Sequence, residues 1–139
     1  MVQLIIGNKG KGKTKVILDK VNTEIKEKNG SIVYLDKSAD HMFELNNKIR
    51  LIDVSEYGLT TSDQFLGFIT GIISQDHDLE QMYLDCFLKI ANVAEEDILP
   101  VIAKIDGISN KFGVDFIISI TMDSSCIPEE IKDKVIAAL

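Results

Sequence analysis

Two kinds of hydrophobic pattern alternate along this chain. Val2–Ile6 is a short apolar run that ends at a glycine, Ile32–Leu35 is β-branched and aromatic, and Val114–Ile120 is the clearest buried run of all. Such runs predict buried strands. Ile49–Val54 reads as a further extended segment. Between the runs, apolar residues recur at helical spacing: Val16, Ile17, Val21 and Ile25 within Lys13–Lys28, then Phe65, Phe68, Ile69, Ile72 and Ile73, then Ile98, Val101, Ile102, Ile105 and Ile108. Each predicts an amphipathic helix. Asn29-Gly30 is a helix stop, Thr61 and Gln64 have capping-box spacing, and Phe112-Gly113 closes the last helix. Pro100 is tolerated if that helix begins near Asp97. Ala39–Asn47 is expected to form a short helix, and Ile127–Leu139 a helical turn at Pro128-Glu129-Glu130 before a short apolar end. Asp78–Asn92 fits a helical stripe and also a strand, Met82-Tyr83-Leu84, that ends in Asp85. The alternation of strands with helices favours the strand.

This alternation predicts an α/β fold: a mostly parallel sheet with helices on both faces, and ligands bound at the carboxyl ends of the strands. With 139 residues and no repeat or linker, residues 1–139 are expected to form one domain. No apolar run is long enough to span a bilayer, and the first residues lack the charge and cleavage pattern of a signal peptide. Cys86 and Cys126 form neither a CxxC pair nor a disulfide framework and are expected to be small buried fillers in a cytoplasmic protein. His41 and His77 have no ligand partners at metal-binding spacing and are expected to be solvated.

Charge changes the picture at one place. The chain has a formal charge of −7, yet Lys9, Lys11, Lys13 and Lys15 fall within seven positions. Nucleic-acid binders spread basic charge along a face, and no such signal is present. A cluster on one glycine-rich loop suits a compact polyanion. Gly7-Asn8-Lys9-Gly10-Lys11-Gly12-Lys13-Thr14 fits G-x-x-x-x-G-K-[ST] in full, after a predicted strand and before a predicted helix. The glycines let backbone N–H groups curl around phosphate oxygens, and the helix start adds its dipole. Lys13 reaches the β and γ phosphates, and the Thr14 hydroxyl is a ligand for Mg²⁺. Gly7–Lys15 is therefore the expected binding segment for a nucleoside triphosphate, with ATP and Mg²⁺ as cofactors.

Such a loop needs a carboxylate at the end of a neighbouring strand to hold the cation. Asp85 is the first candidate and Asp53 the alternative. Asp36, at the end of Ile32–Leu35, is a third acid on the same edge, suited to orienting water or to starting a turn. Ser119 and Thr121 are candidates for sensing the γ-phosphate. No glutamate stands near Asp85 or Asp36 to polarise an attacking water. Arg50 is the sole arginine, so a charge-neutralising finger is Arg50, a lysine, or a partner's residue. Hydrolysis is expected to be slow or partner-dependent.

Gly7–Thr14 after Leu4-Ile5-Ile6 resembles a Walker A motif, and Tyr83-Leu84-Asp85 is similar to a Walker B strand. Phe116–Thr121, Pro128–Lys134 and Val135-Ile136 resemble the sensor and last strands of additional-strand, RecA-like P-loop NTPases. The whole chain also resembles short bacterial ATP-binding proteins catalogued as PilT-type twitching-motility ATPases. The resemblance implies a three-layer P-loop fold with about five strands in the order 5-1-4-3-2, and a homo-oligomer or a protein partner. The expected function is an ATP-binding switch or regulatory ATPase. A small-molecule or nucleoside kinase and a non-hydrolysing scaffold are the alternatives. A single arginine counts against the kinase, and the intact Gly12-Lys13-Thr14 against the scaffold.

Overall fold

The apolar runs become strands because both faces of the sheet are covered. The computed structural model describes residues 1–139. In chain order the elements are β1 (Val2–Gly7), α1 (Lys13–Glu24), β2 (Ser31–Asp36), β3 (Arg50–Asp53), α2 (Ser62–Gln75), β4 (Leu79–Leu84), α3 (Phe87–Ile90), α4 (Ile98–Phe112), β5 (Asp115–Thr121) and β6 (Val135–Ala138). All strand pairs are parallel, in the order β3-β2-β4-β5-β1-β6. The fold is the expected α/β class, but the strand count is six rather than five, and the order differs accordingly. The additional member is β3, the Ile49–Val54 segment, which joins as an edge strand beside β2. With β3 set aside and the others renumbered, the order from the opposite edge is 5-1-4-3-2.

Alternate residues of each strand feed opposite layers. Leu4, Ile6, Val33, Leu35, Met82, Leu84, Phe116, Ile118 and Ile120 pack with Phe65, Ile69, Ile73, Val101, Ile102 and Ile105 of α2 and α4. Ile5, Ile32, Tyr34, Tyr83 and Ile117 pack with Ile17, Leu18 and Val21 of α1. Residues in register with the second set at the strand ends therefore fall on the α1 side. Asp36, Asp85 and Ser119 are those residues, and all three are buried.

Local chemistry accounts for where the elements stop. Thr61 caps α2 by accepting from the Gln64 N–H at 3.2 Å. The Gln64 side chain closes the box one residue early, accepting from the Thr60 N–H at 2.7 Å. Helix α4 starts at Ile98, so Pro100 lies in its first turn, where its missing N–H is harmless. Asp78–Asn92 is both of its readings in succession, strand β4 and then the single turn α3. Ala39–Asn47 is not the expected short helix: only Met42–Glu44 makes a 3₁₀ turn. Asn22 of α1 holds that segment instead, donating to the Glu44 carbonyl at 2.8 Å and accepting from the Asn46 N–H at 2.8 Å. Helix α1 ends at Glu24 rather than Lys28, although Ile25 remains buried. No helix is long and apolar enough to cross a membrane.

Candidate functional site

After β1 the chain curls rather than continuing straight. Gly10 and Gly12 adopt φ of +82° and +90°, a region that any side chain would strain. Helix α1 then begins at Lys13 with no side-chain cap. The loop N–H groups of Lys9, Gly10 and Gly12 find no acceptor within the chain. The first-turn N–H groups of a helix have no intrahelical partner either. The result is a run of free amide donors at the positive end of a twelve-residue helix. The Lys13 ammonium folds back over the curl and donates to the Asn8 carbonyl at 3.0 Å. Burial lowers the Lys13 pKa, while Cys86 and Asp85 pull it the other way.

Asp85, immediately after β4, faces α1 and is 1% exposed. Its Oδ2 accepts from the Thr14 hydroxyl at 3.2 Å and the Tyr34 hydroxyl at 2.8 Å. Its Oδ1 accepts from the Ser119 hydroxyl at 2.5 Å and the Cys86 N–H at 3.0 Å. Four donors satisfy both oxygens of this buried carboxylate. Burial, followed by the charge of Asp85, raises the Tyr34 pKa far above its usual value, so Tyr34 remains a donor. Cys86 sits at φ +56°, beyond the end of β4. Burial, followed by Asp85, raises its thiol to about 11, which leaves a poor nucleophile at neutral pH. The expectation that both cysteines are buried fillers is corrected, since Cys86 is half-buried at the site and Cys126 is exposed.

Asp36 ends β2 on the same side. One oxygen accepts from the Lys37 N–H at 2.7 Å, and Oδ2 has no partner although it is buried. Burial, followed by the charge of Asp85, raises its pKa to about 6. One ligand atom each of Asp36, Asp85 and Cys86 lies within 4.8 Å of the others. The oxygens of Thr14 and Asp36, rather than the protonated Cys86 thiol, suit a divalent cation for two reasons. Thr14 gives its proton to Asp85 and so keeps its oxygen lone pairs outward, and the Asp36 oxygen lacks a donor.

The loop residues Lys9, Gly10, Gly12, Lys13 and Thr14 share one cavity of about 610 Å³ with Asp85, Ser119 and Thr121. Asn8 points elsewhere, to Asp123 at 3.1 Å, and Lys15 pairs with Asp19 on the outside of α1. Asp53 does not reach the cavity. It caps the turn after β3, accepting from the Ser55 N–H and hydroxyl at 3.0 and 2.6 Å. Arg50 opens β3 at the opposite end of the sheet and pairs with Asp76 at 3.3 Å. His77 is exposed, and His41 bonds Glu44 at 2.5 Å.

Sequence reasoning missed three residues. Lys37 and Lys89 complete the cavity wall, and Tyr34 reaches Asp85 from two positions before Asp36. The period-two pattern of β2 placed Tyr34 on the same face as Asp36, which was the available signal. No known protein family matches the chain, and none of the curated proteins compared with it shows significant similarity.

Proposed function

We propose that this chain binds a nucleoside triphosphate, ATP together with Mg²⁺, on the Gly7–Thr14 loop. In this reading it is a P-loop protein of the RecA-like kind that its sequence resembles, acting as a switch or regulatory ATPase with slow or partner-dependent hydrolysis. The observation that carries the reading is the bond between Thr14 and Asp85, residues 71 positions apart. It joins a curl of unpartnered amides to a buried carboxylate at the ligand end of the sheet.

The division of labour follows from the donor set. Amides of Lys9, Gly10 and Gly12 and of the α1 start bind phosphate oxygens, and Lys13 bridges the outer phosphates. Thr14, oriented by Asp85, holds the cation. Mg²⁺ bound there neutralises phosphate charge. Ser119 and Tyr34 fix the Asp85 carboxylate in turn. Asp36 lies behind the cavity lining beside Asp85, and its pKa of about 6 suits taking a proton from water. Its burial and the remoteness of Arg50 both argue for slow turnover by the isolated chain.

Calorimetric titration with ATP, with and without Mg²⁺, tests this reading. Binding should require Lys13 and should tighten with Mg²⁺. Unchanged affinity in Lys13→Ala would sink the assignment. A phosphotransferase is the second reading, because a separate polar hollow of about 470 Å³, lined by Thr14, Asn22 and His41 among others, abuts the cation position. Phosphate transfer to a small acceptor, in place of release to water, would favour it.

A further inference from the structure

Four lysines without carboxylate partners converge on the cavity. Six lysines elsewhere find carboxylate partners: Lys15, Lys20, Lys28, Lys104, Lys132 and Lys134. Eight have none: Lys11, Lys26, Lys48 and Lys111 lie outside the cavity lining, and Lys9, Lys13, Lys37 and Lys89 all line it. In a chain of net charge −7, four unpaired ammonium groups that converge on one cavity beside free loop amides mark an anion site. Lys37 follows β2 and Lys89 lies in α3 beyond β4, whereas the loop follows β1. Strands β4 and β5 separate β2 from β1 in the sheet. The lysines therefore reach the cavity from different strand ends, in company with Thr14 and Asp85. A phosphate chain seated on the loop amides would lie in the same cavity as Lys37 and Lys89.

The rest of the lining contains nothing that reads a base. Leu88 is its one aliphatic side chain and no aromatic ring contributes. Small-molecule sites that hold a flat ring use apolar and aromatic walls to do so. The exposed aromatics, Phe43, Tyr57 and Phe112, are not among the lining residues. Lysine heads recognise phosphate as point charges and are indifferent to what the phosphate is attached to.

We infer that the cleft recognises the triphosphate chain itself, leaving the base unread, and that Lys37 and Lys89 discriminate a triphosphate from a diphosphate. The ligand class is then any nucleoside triphosphate, and inorganic tripolyphosphate as well. This inference rests on the triphosphate reading above and narrows it.

Calorimetry with Mg²⁺ and ATP, GTP, CTP, tripolyphosphate or ADP tests it on the native chain, on Lys37→Gln/Lys89→Gln and on Lys13→Ala. The four triphosphate ligands should bind within about fivefold of one another, and ADP about tenfold more weakly, as expected for two charge-assisted contacts at an open site. In the double variant the ATP-to-ADP ratio should collapse toward one. Two results would overturn the inference while leaving the parent reading intact. One is a single nucleotide binding more than about thirtyfold tighter than tripolyphosphate, which means that a base is read. The other is an unchanged ATP-to-ADP ratio in the double variant. Absence of binding by every ligand, or full binding by Lys13→Ala, removes the parent reading and this inference together. Circular dichroism of the double variant separates lost binding from lost folding; both lysines are exposed, so the fold should be retained.

Discussion

Asp36 and Asp85 are equally buried, each 1% exposed, yet their surroundings are opposites. Asp85 has four donors, whereas Asp36 has one donor and a bare oxygen. The fold therefore opposes ionisation of Asp36, whose pKa rises from 3.8 to about 6. A raised carboxyl pKa means that the native state binds the proton more tightly than the unfolded chain. That contribution is fully present below pH 3.8 and is lost as pH rises through 6, so the penalty is complete at neutral pH. Asp36→Asn should then stabilise the chain by about 2 kcal/mol at pH 7.5 and by little near pH 3.5. Urea unfolding at both pH values checks this, and equal gains at the two would refute the electrostatic account. Tyr34→Phe should act in the other direction. It removes one donor from the buried Asp85 carboxylate and costs about 2 kcal/mol, measurable in the same assay. If the Thr14–Asp85 bond positions a cation, Tyr34→Phe should also weaken the Mg²⁺ dependence of ATP binding.

At the level of elements, glycines show what sequence patterns convey and what they omit. The G-x-x-x-x-G-K-[ST] spacing correctly implied a curl between a strand and a helix, because positive φ at Gly10 and Gly12 is a local demand. Gly30 was legible only as a helix stop. Helix α1 has already ended at Glu24, and the need for glycine comes from across the sheet. A Cβ at Gly30 would stand 2.1 Å from the Asp78 carbonyl oxygen, where the entry to β2 meets the entry to β4. Gly30→Ala should therefore cost about 2–3 kcal/mol by forcing backbone apart. Gly67→Ala, inside α2 with open space around it, should gain up to about 1 kcal/mol from helix propensity. Thermal melts of the two variants should move in opposite directions. The same contrast runs through the rest of the chain. Strand β4 and helix α3 share a stripe that periodicity alone could not divide, since Tyr83 and Phe87 are apolar under either reading. The edge position of β3 depended on pairing with β2, a long-range choice invisible in Ile49–Val54. Lys37 and Lys89 look like ordinary surface lysines until the sheet order brings β2 and β4 together.

Across the whole molecule, the two ends of the sheet differ in what they carry. The loop, Asp36, Asp85, Lys37 and Lys89 gather at the carboxyl ends of the strands, where parallel sheets favour ligand sites. The other end carries Gly30, Asp76 and the single arginine. Arg50 is 62% exposed and Asp76 only 9%, so the pair is a surface contact worth about 0.5 kcal/mol. Within one chain Arg50 lies too far along β3 to neutralise a phosphate at the other end of the sheet. In a head-to-tail assembly, however, the arginine end of one copy faces the loop end of the next. Measuring phosphate release per chain across a range of protein concentrations separates these arrangements. For the chain acting alone, release should be slow, independent of concentration, and the same in Arg50→Ala. If release per chain rises with concentration and Arg50→Ala abolishes that rise, Arg50 acts on the site of a second copy. In that case the low turnover expected of the isolated molecule reflects a missing neighbour rather than an incomplete site.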